Sequence, residues 1–231
     1  MSGHKRFWKD VTVVSDDGLF QPRLDGRPIR LPQGHVLAVR SSALAEAIAG
    51  EWGQIAEGTA FTPDFLPLTR MAGTMIERIA PAPQAARDML LGLGVDDGLC
   101  YCADGVGPVA VQVFAWLSGY GVHPSVTDGL MPVVQPEGYR EALARLLAAR
   151  DDLELAVLGV LAQATGSLLL SLAVVGGAVS LVDAVLWANN DEKSQLATWG
   201  QDDELIRTME NREKDILDAG MFLTLGRQVS I

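Results

Sequence analysis

Cysteine and histidine are scarce in this chain, which holds two cysteines, Cys100 and Cys102, and three histidines among 231 residues. A bridge between cysteines one residue apart is strained and no framework can be built from it, so a reducing compartment is expected. His4, His35 and His123 fall in neither an HxxxH nor an HExxH spacing, and no metal site is expected. Basic residues are also few: 18 Lys plus Arg stand against 29 Asp plus Glu, a formal charge of -11. That balance opposes phosphate neutralisation and argues against nucleic acid, whereas a basic protein surface would suit it. The first ten residues carry neither an apolar signal core nor an Arg-rich amphipathic stretch, so the expected address is cytoplasmic.

Catalytic signatures are missing as well. There is no GxSxG elbow and no Walker A loop. Gly105-Val106-Gly107-Pro108-Val109-Ala110 fits GxGxxA, but Pro108 lacks the amide that should face a phosphate, and no βαβ unit surrounds it. The pairs Asp16-Asp17 and Asp96-Asp97 each precede glycine, which is ordinary turn chemistry. No catalytic residue, metal ligand or cofactor site is therefore nominated. Cys100 and Cys102 read as small hydrophobes beside Tyr101.

What is present is an ordinary folding composition, 48% hydrophobic and 20% charged. From 155 to 182 no charged residue occurs, long enough to cross a bilayer. Gln163, Thr165, Gly166, Ser167, Ser171 and Gly176-Gly177 divide the run, acids rather than basic anchors flank it, and a buried core helix or helix pair is expected.

The fold class expected is α+β. A β-meander fills the first forty residues, with turns at Ser15-Asp16-Asp17-Gly18 and Asp25-Gly26. Ser41 or Ser42 then caps a helix with Leu44, Ile48, Trp52 and Ile55 as its apolar stripe, expected to lie across the sheet. A second helix is expected over 68–79. Pro81-Ala82-Pro83 ends it and sets the domain boundary, giving a β-rich domain over 1–82. An all-helical domain over 83–218 follows, with helices over 84–93, 109–120, 137–150, 153–164, 167–175, 180–199 and 203–218. Residues 219–231 read as an apolar tail that either docks or is disordered.

The C-terminal stretch from Asp191 is the most distinctive. Gln195 and Trp199, four apart, share a helix face; Gly200 can end the helix, and Asp202, Asp203 and Glu204 suit the positive start of the next. Two readings stand: a core tryptophan beside a well-capped helix, or an aromatic anchor beside an acidic docking edge.

A set of segments in fixed order resembles the ATP12 family, assembly chaperones of the α subunit of the F-type ATP synthase catalytic head. They are Arg6-Phe7-Trp8-Lys9-Asp10-Val11, Leu24-Asp25-Gly26-Arg27-Pro28-Ile29, Glu51-Trp52, Pro67-Leu68-Thr69-Arg70-Met71-Ala72, residues 97–101, Gln135-Pro136 and Thr165-Gly166-Ser167-Leu168. Most specific is Asp191-Glu192 with Gln195 and Trp199-Gly200. The family usually has glutamate four residues after that tryptophan, where this chain has Asp203 followed by Glu204. It also tends to carry Trp-Asp-Pro where Trp116-Leu117-Ser118 stands.

The resemblance implies a non-enzymatic chaperone, monomeric when free and needing no ATP or cofactor. It would shield the unassembled α subunit until β subunits displace it, in the bacterial cytoplasm or, for organellar relatives, the mitochondrial matrix. Client contact falls to Trp199, Asp202, Asp203 and Glu204; Glu51, Trp52, Gln195 and Gly200 are motif or packing residues. Two other classes remain open on the residues alone: a small hydrolase or oxidoreductase, and an assembly factor inserted in a membrane through 155–182.

Overall fold

The computed structural model describes residues 4–62, 65–102, 105–129 and 131–228. The fold is α+β, and the described residues gather into two compact units: Met1–Ala82 with Asp218–Ile231, and Pro83–Leu217.

In the first unit, β1 (His4–Lys5) is followed by β2 (Val11–Asp16), β3 (Leu19–Leu24) and β4 (Arg27–Pro28), which form an antiparallel sheet in the order β2-β3-β4. The β2–β3 register pairs Val11 with Leu24 and Asp16 with Leu19. At the β3–β4 turn Asp25 and Gly26 both have positive φ, 48° and 77°, the backbone that a two-residue hairpin with right-handed strand twist requires. The Asp25 carboxylate accepts amide hydrogen bonds from Lys9 and Asp10, at 3.0 and 2.9 Å, and these hold its pKa below the usual aspartate value.

Helix α1 (Ser42–Gln54) starts at Ser41, whose hydroxyl accepts from the Leu44 amide at 3.2 Å. Leu44 and Ile48 are fully buried where α1 packs on β2 and β3. β5 (Ala60–Phe61) pairs with β1. Trp8, Ile55, Phe61 and Leu66 form a small core against which Val11, Leu24 and Trp52 pack.

Helix α2 (Pro67–Thr74) opens with proline at its first position, where no amide partner is lost. It runs on as a π-helical turn over Met75–Ile79. Its cap comes from another helix: the Glu51 carboxylate accepts from the amides of Leu68 (2.6 Å) and Thr69 (2.9 Å) and from the Thr69 hydroxyl (2.7 Å). Trp52 Nε1 donates to the same hydroxyl at 3.0 Å. Burial outweighs these bonds and raises the Glu51 pKa. Glu51→Ala leaves three donors without their acceptor, and we expect a loss of roughly 2–3 kcal/mol in this unit. Urea unfolding followed by tryptophan fluorescence measures it, and a midpoint equal to wild type would contradict the assignment.

The second unit contains α3 (Pro83–Val95), α4 (Pro108–Ser118), α5 (Tyr139–Ala148), α6 (Asp152–Thr165), α7 (Leu168–Val175), α8 (Leu181–Ala188) and α9 (Asn190–Trp199). All eight residues of α7 are buried, and α3, α4, α6 and α8 pack around it. The uncharged run over 155–182 is thus spent on an interior. Gly166, at φ +69°, ends α6, and Ser167 caps α7 by accepting from the Leu170 amide. Among the described residues no helix is long and apolar enough to cross a membrane.

Two sequence expectations are corrected. The helix expected over 180–199 is two helices, α8 and α9, broken at Asn189, a buried residue with non-helical φ and ψ of -108° and 10°. The last helix, α10 (Asp203–Gly226), does not stop at 218. Ile216, Ala219, Phe222 and Leu223 are buried at helical spacing. The described part of the expected apolar tail is therefore mostly an amphipathic helix end that groups with the first unit; residues 229–231 lie outside the described residues. Within that unit the Ser41 hydroxyl donates to the Leu225 carbonyl at 2.6 Å.

Candidate functional site

The residues nominated for client contact lie at the junction of α9 and α10. α9 carries Asp191 and Glu192 in its first turn and has no buried residue. Trp199, its last residue, is 85% exposed, so it is not a core tryptophan. Gly200 follows at φ 92° and ψ -173°, a conformation L side chains rarely adopt, and the chain turns there into α10. Asp202 is half committed to structure: its Oδ1 accepts from the amides of Glu204 and Leu205, at 2.9 and 3.1 Å. Asp203 and Glu204, in the first turn of α10, are exposed. Gln195 is exposed one turn before Trp199. The structure thus groups Gln195, Trp199, Gly200, Asp202, Asp203 and Glu204 within one helix–turn–helix, with both acid and indole facing solvent.

Glu51 and Trp52 belong elsewhere, in the first unit. Glu51 caps α2, while Trp52 is half-buried against Trp8 and Phe61, with ring centroids at 5.1 and 5.8 Å.

Asp97, expected as a turn residue, is also a buried anchor. Asp97 is fully buried, and its Oδ1 accepts from the Ser167 hydroxyl at 2.5 Å and the Leu99 amide at 3.0 Å. Its Oδ2 accepts from the Leu169 amide at 2.9 Å. Burial dominates these bonds and raises its pKa to about 6. The turn is real, since Asp97 precedes the short 3-10 turn Gly98–Cys100, but its side chain also serves α7, some 70 residues away. Nothing in the local sequence marks that second duty. Cys100 is buried, and desolvation pushes its thiol up to about 12; Cys102 is half-buried. Among the described residues no group of three or more His, Cys, Asp or Glu side chains could hold a metal ion.

A family model for the ATP12 chaperone protein matches residues 5–116. An aspartate-to-lysine mutant of Paracoccus denitrificans Atp12p is 32% identical, with a TM-score of 0.83 over 96% of this chain and 98% of that one. A second crystal structure of Atp12 from Paracoccus denitrificans is 31% identical, TM-score 0.82, with the same coverage. A proposed chaperone from Agrobacterium tumefaciens is 31% identical, TM-score 0.84, covering 96% of this chain and 85% of that one. A small β-rich unit joined in sequence to a helical unit, matched over nearly the whole chain to such structures, defines a chaperone. More particularly, the chain belongs to the ATP12 chaperone protein family.

Proposed function

We propose that this protein holds the unassembled α subunit of the F-type ATP synthase catalytic head and keeps it from aggregating until β subunits displace it. An isolated subunit of such a complex exposes the apolar interface it will later bury, and such patches associate nonspecifically. On this reading the protein acts as a soluble cytoplasmic monomer, needs neither ATP nor a cofactor, transforms no substrate and inserts in no membrane.

The observation that carries the reading is Trp199, whose indole is 85% exposed beside Asp202, Asp203 and Glu204. Aromatic anchors of this kind dominate protein interfaces, and flanking acids select a basic counterpart and speed encounter.

Co-expression with the cognate α subunit tests it. Soluble α subunit should rise when the chaperone is present and should co-purify with it. An α subunit equally soluble alone, which never co-purifies, overturns the proposal. Trp199→Ala should weaken capture by about 30-fold, the loss of roughly 2 kcal/mol typical of a truncated aromatic anchor. Its melting temperature should match wild type, because the indole is not part of the core.

A further inference from the structure

From 190 to 215 no residue is buried, a stretch covering all of α9, the Gly200 turn and the first half of α10. A ten-residue helix with no fully buried residue is marginal in water. α9 also lacks any acid followed four residues later by a base, so charge pairing within the helix does not support it. A side chain on the neighbouring helix ties down its root. Arg212 of α10 donates through Nη1 to the Ala188 carbonyl, the end of α8, and to Asn189 Oδ1 at 3.0 Å. Through Nη2 it donates to Glu192 Oε1, in the first turn of α9, at 2.7 Å. The side chains of this ion pair are only 21% and 18% exposed, and Asn189 is 2% exposed. The Arg212 hydrogen bond is also the main cause of the lowered Glu192 pKa.

One planar guanidinium therefore joins the end of α8, the corner residue and the start of α9, a three-acceptor geometry that a lysine ammonium on its flexible stem does not reproduce. At the opposite end α9 stops at Gly200, whose positive φ ends the helix. We propose that Arg212 is a positioning residue for client capture: it clamps α9 at its root and so sets where Trp199 is displayed at its tip. The inference rests on the reading of Trp199 as a client contact. With the clamp released, α9 frays from Asn189 to Gly200 and the indole loses its defined position, at an entropic cost that client binding must then meet.

Hydrogen–deuterium exchange on the full-length protein separates the clamp from the client. In Arg212→Ala, amides of 190–199 should exchange at least ~10-fold faster, whereas those of α7 should be unchanged. Arg212→Lys should fall between the two. Glu192→Gln, which keeps the other two acceptors, should show a smaller rise and serves if Arg212→Ala folds poorly. Capture of the cognate α subunit should fall in the same order, by about 10-fold in Arg212→Ala, as expected when a defined bound conformation is lost. Unchanged exchange in 190–199 overturns the clamp. Faster exchange with undiminished capture overturns the positioning role. If wild-type protein captures no α subunit, the proposed function falls and the positioning role with it, while the exchange data still decide the clamp.

Discussion

Asp97→Ala is expected to destabilise the helical unit by about 3–5 kcal/mol, the cost of leaving three buried donors without their acceptor. The carboxylate joins two places far apart in the chain. It closes the Gly98–Cys100 turn through the Leu99 amide, and it meets the start of α7 through the Leu169 amide and the Ser167 hydroxyl. Ser167 in turn accepts from the Leu170 amide at 3.0 Å, so its orientation depends on the aspartate. Alanine would strand three buried donors, two of them at the N-terminus of the helix around which the unit packs and one in the Gly98–Cys100 turn. The turn cannot drift away to admit water cheaply, since Gly98 N donates to the Gly166 carbonyl at 3.3 Å. A Cβ at Gly98 would lie 2.8 Å from that same oxygen, which shows how closely the two segments meet. Urea unfolding followed by far-ultraviolet circular dichroism gives the number, and a loss under 1 kcal/mol would contradict this account.

The same residue predicts a pH dependence of definite sign. Its folded pKa of about 6 lies above the ordinary 3.8 because burial disfavours the charged form more than its hydrogen bonds favour it. The folded state therefore holds this proton more tightly than the unfolded state does. The contribution is fully present below about pH 4, is lost as pH rises towards 6, and is level above that. The difference between 6 and 3.8 corresponds to about 3 kcal/mol. Glu51 shifts in the same direction, whereas Asp25 and Glu192 shift downward and lose stabilisation as pH falls. Wild type minus Asp97→Asn isolates the one group. Stability curves that stay parallel between pH 4 and 6 would refute the assignment.

Much of the fold was legible because its signals are local. Asp25-Gly26 marks a turn needing two positive φ values, Ser41 and Ser167 mark helix starts, and Gly166 marks the break that makes a helix pair of an apolar run. Those signals act within a few residues, so they read directly. The misplaced features depend on contacts distant in sequence. Asn189 breaks a helix without proline or glycine because Arg212, 23 residues on, holds it at the corner. α10 continues beyond 218 because Phe222 and Leu223 find a buried environment, which their own sequence does not announce. The dual role of Asp97 could be suspected only by asking what would cap α7 besides Ser167. At the candidate site, the residue types and their order were readable, but the choice between core and exposed tryptophan required the surroundings of α9.

Reversing the charge of both Asp203 and Glu204 to lysine should weaken α-subunit capture by at least about 100-fold, some 3 kcal/mol, because like charges then face the basic surface that the acids are proposed to meet. The two side chains are exposed in the first turn of α10, and no residue from 190 to 215 is buried. Lysine at a helix start opposes the helix dipole, yet that penalty is only about 0.3–1 kcal/mol per residue, so the global fold should survive. Asp202 provides the internal comparison. Its carboxylate already accepts from the Glu204 and Leu205 amides, and asparagine caps a helix about as well. Asp202→Asn should therefore leave α10 intact and report only on its charge, with a smaller loss of capture than the double reversal. Exposed charges are screened over about 8 Å at physiological ionic strength, so raising salt should weaken wild-type capture while relieving the repulsion in the reversed variant. The two affinities should converge as salt rises. A double reversal that rescues the α subunit as well as wild type, at low salt and with its fold intact, would remove the acids from the binding surface and leave Trp199 to account for capture alone.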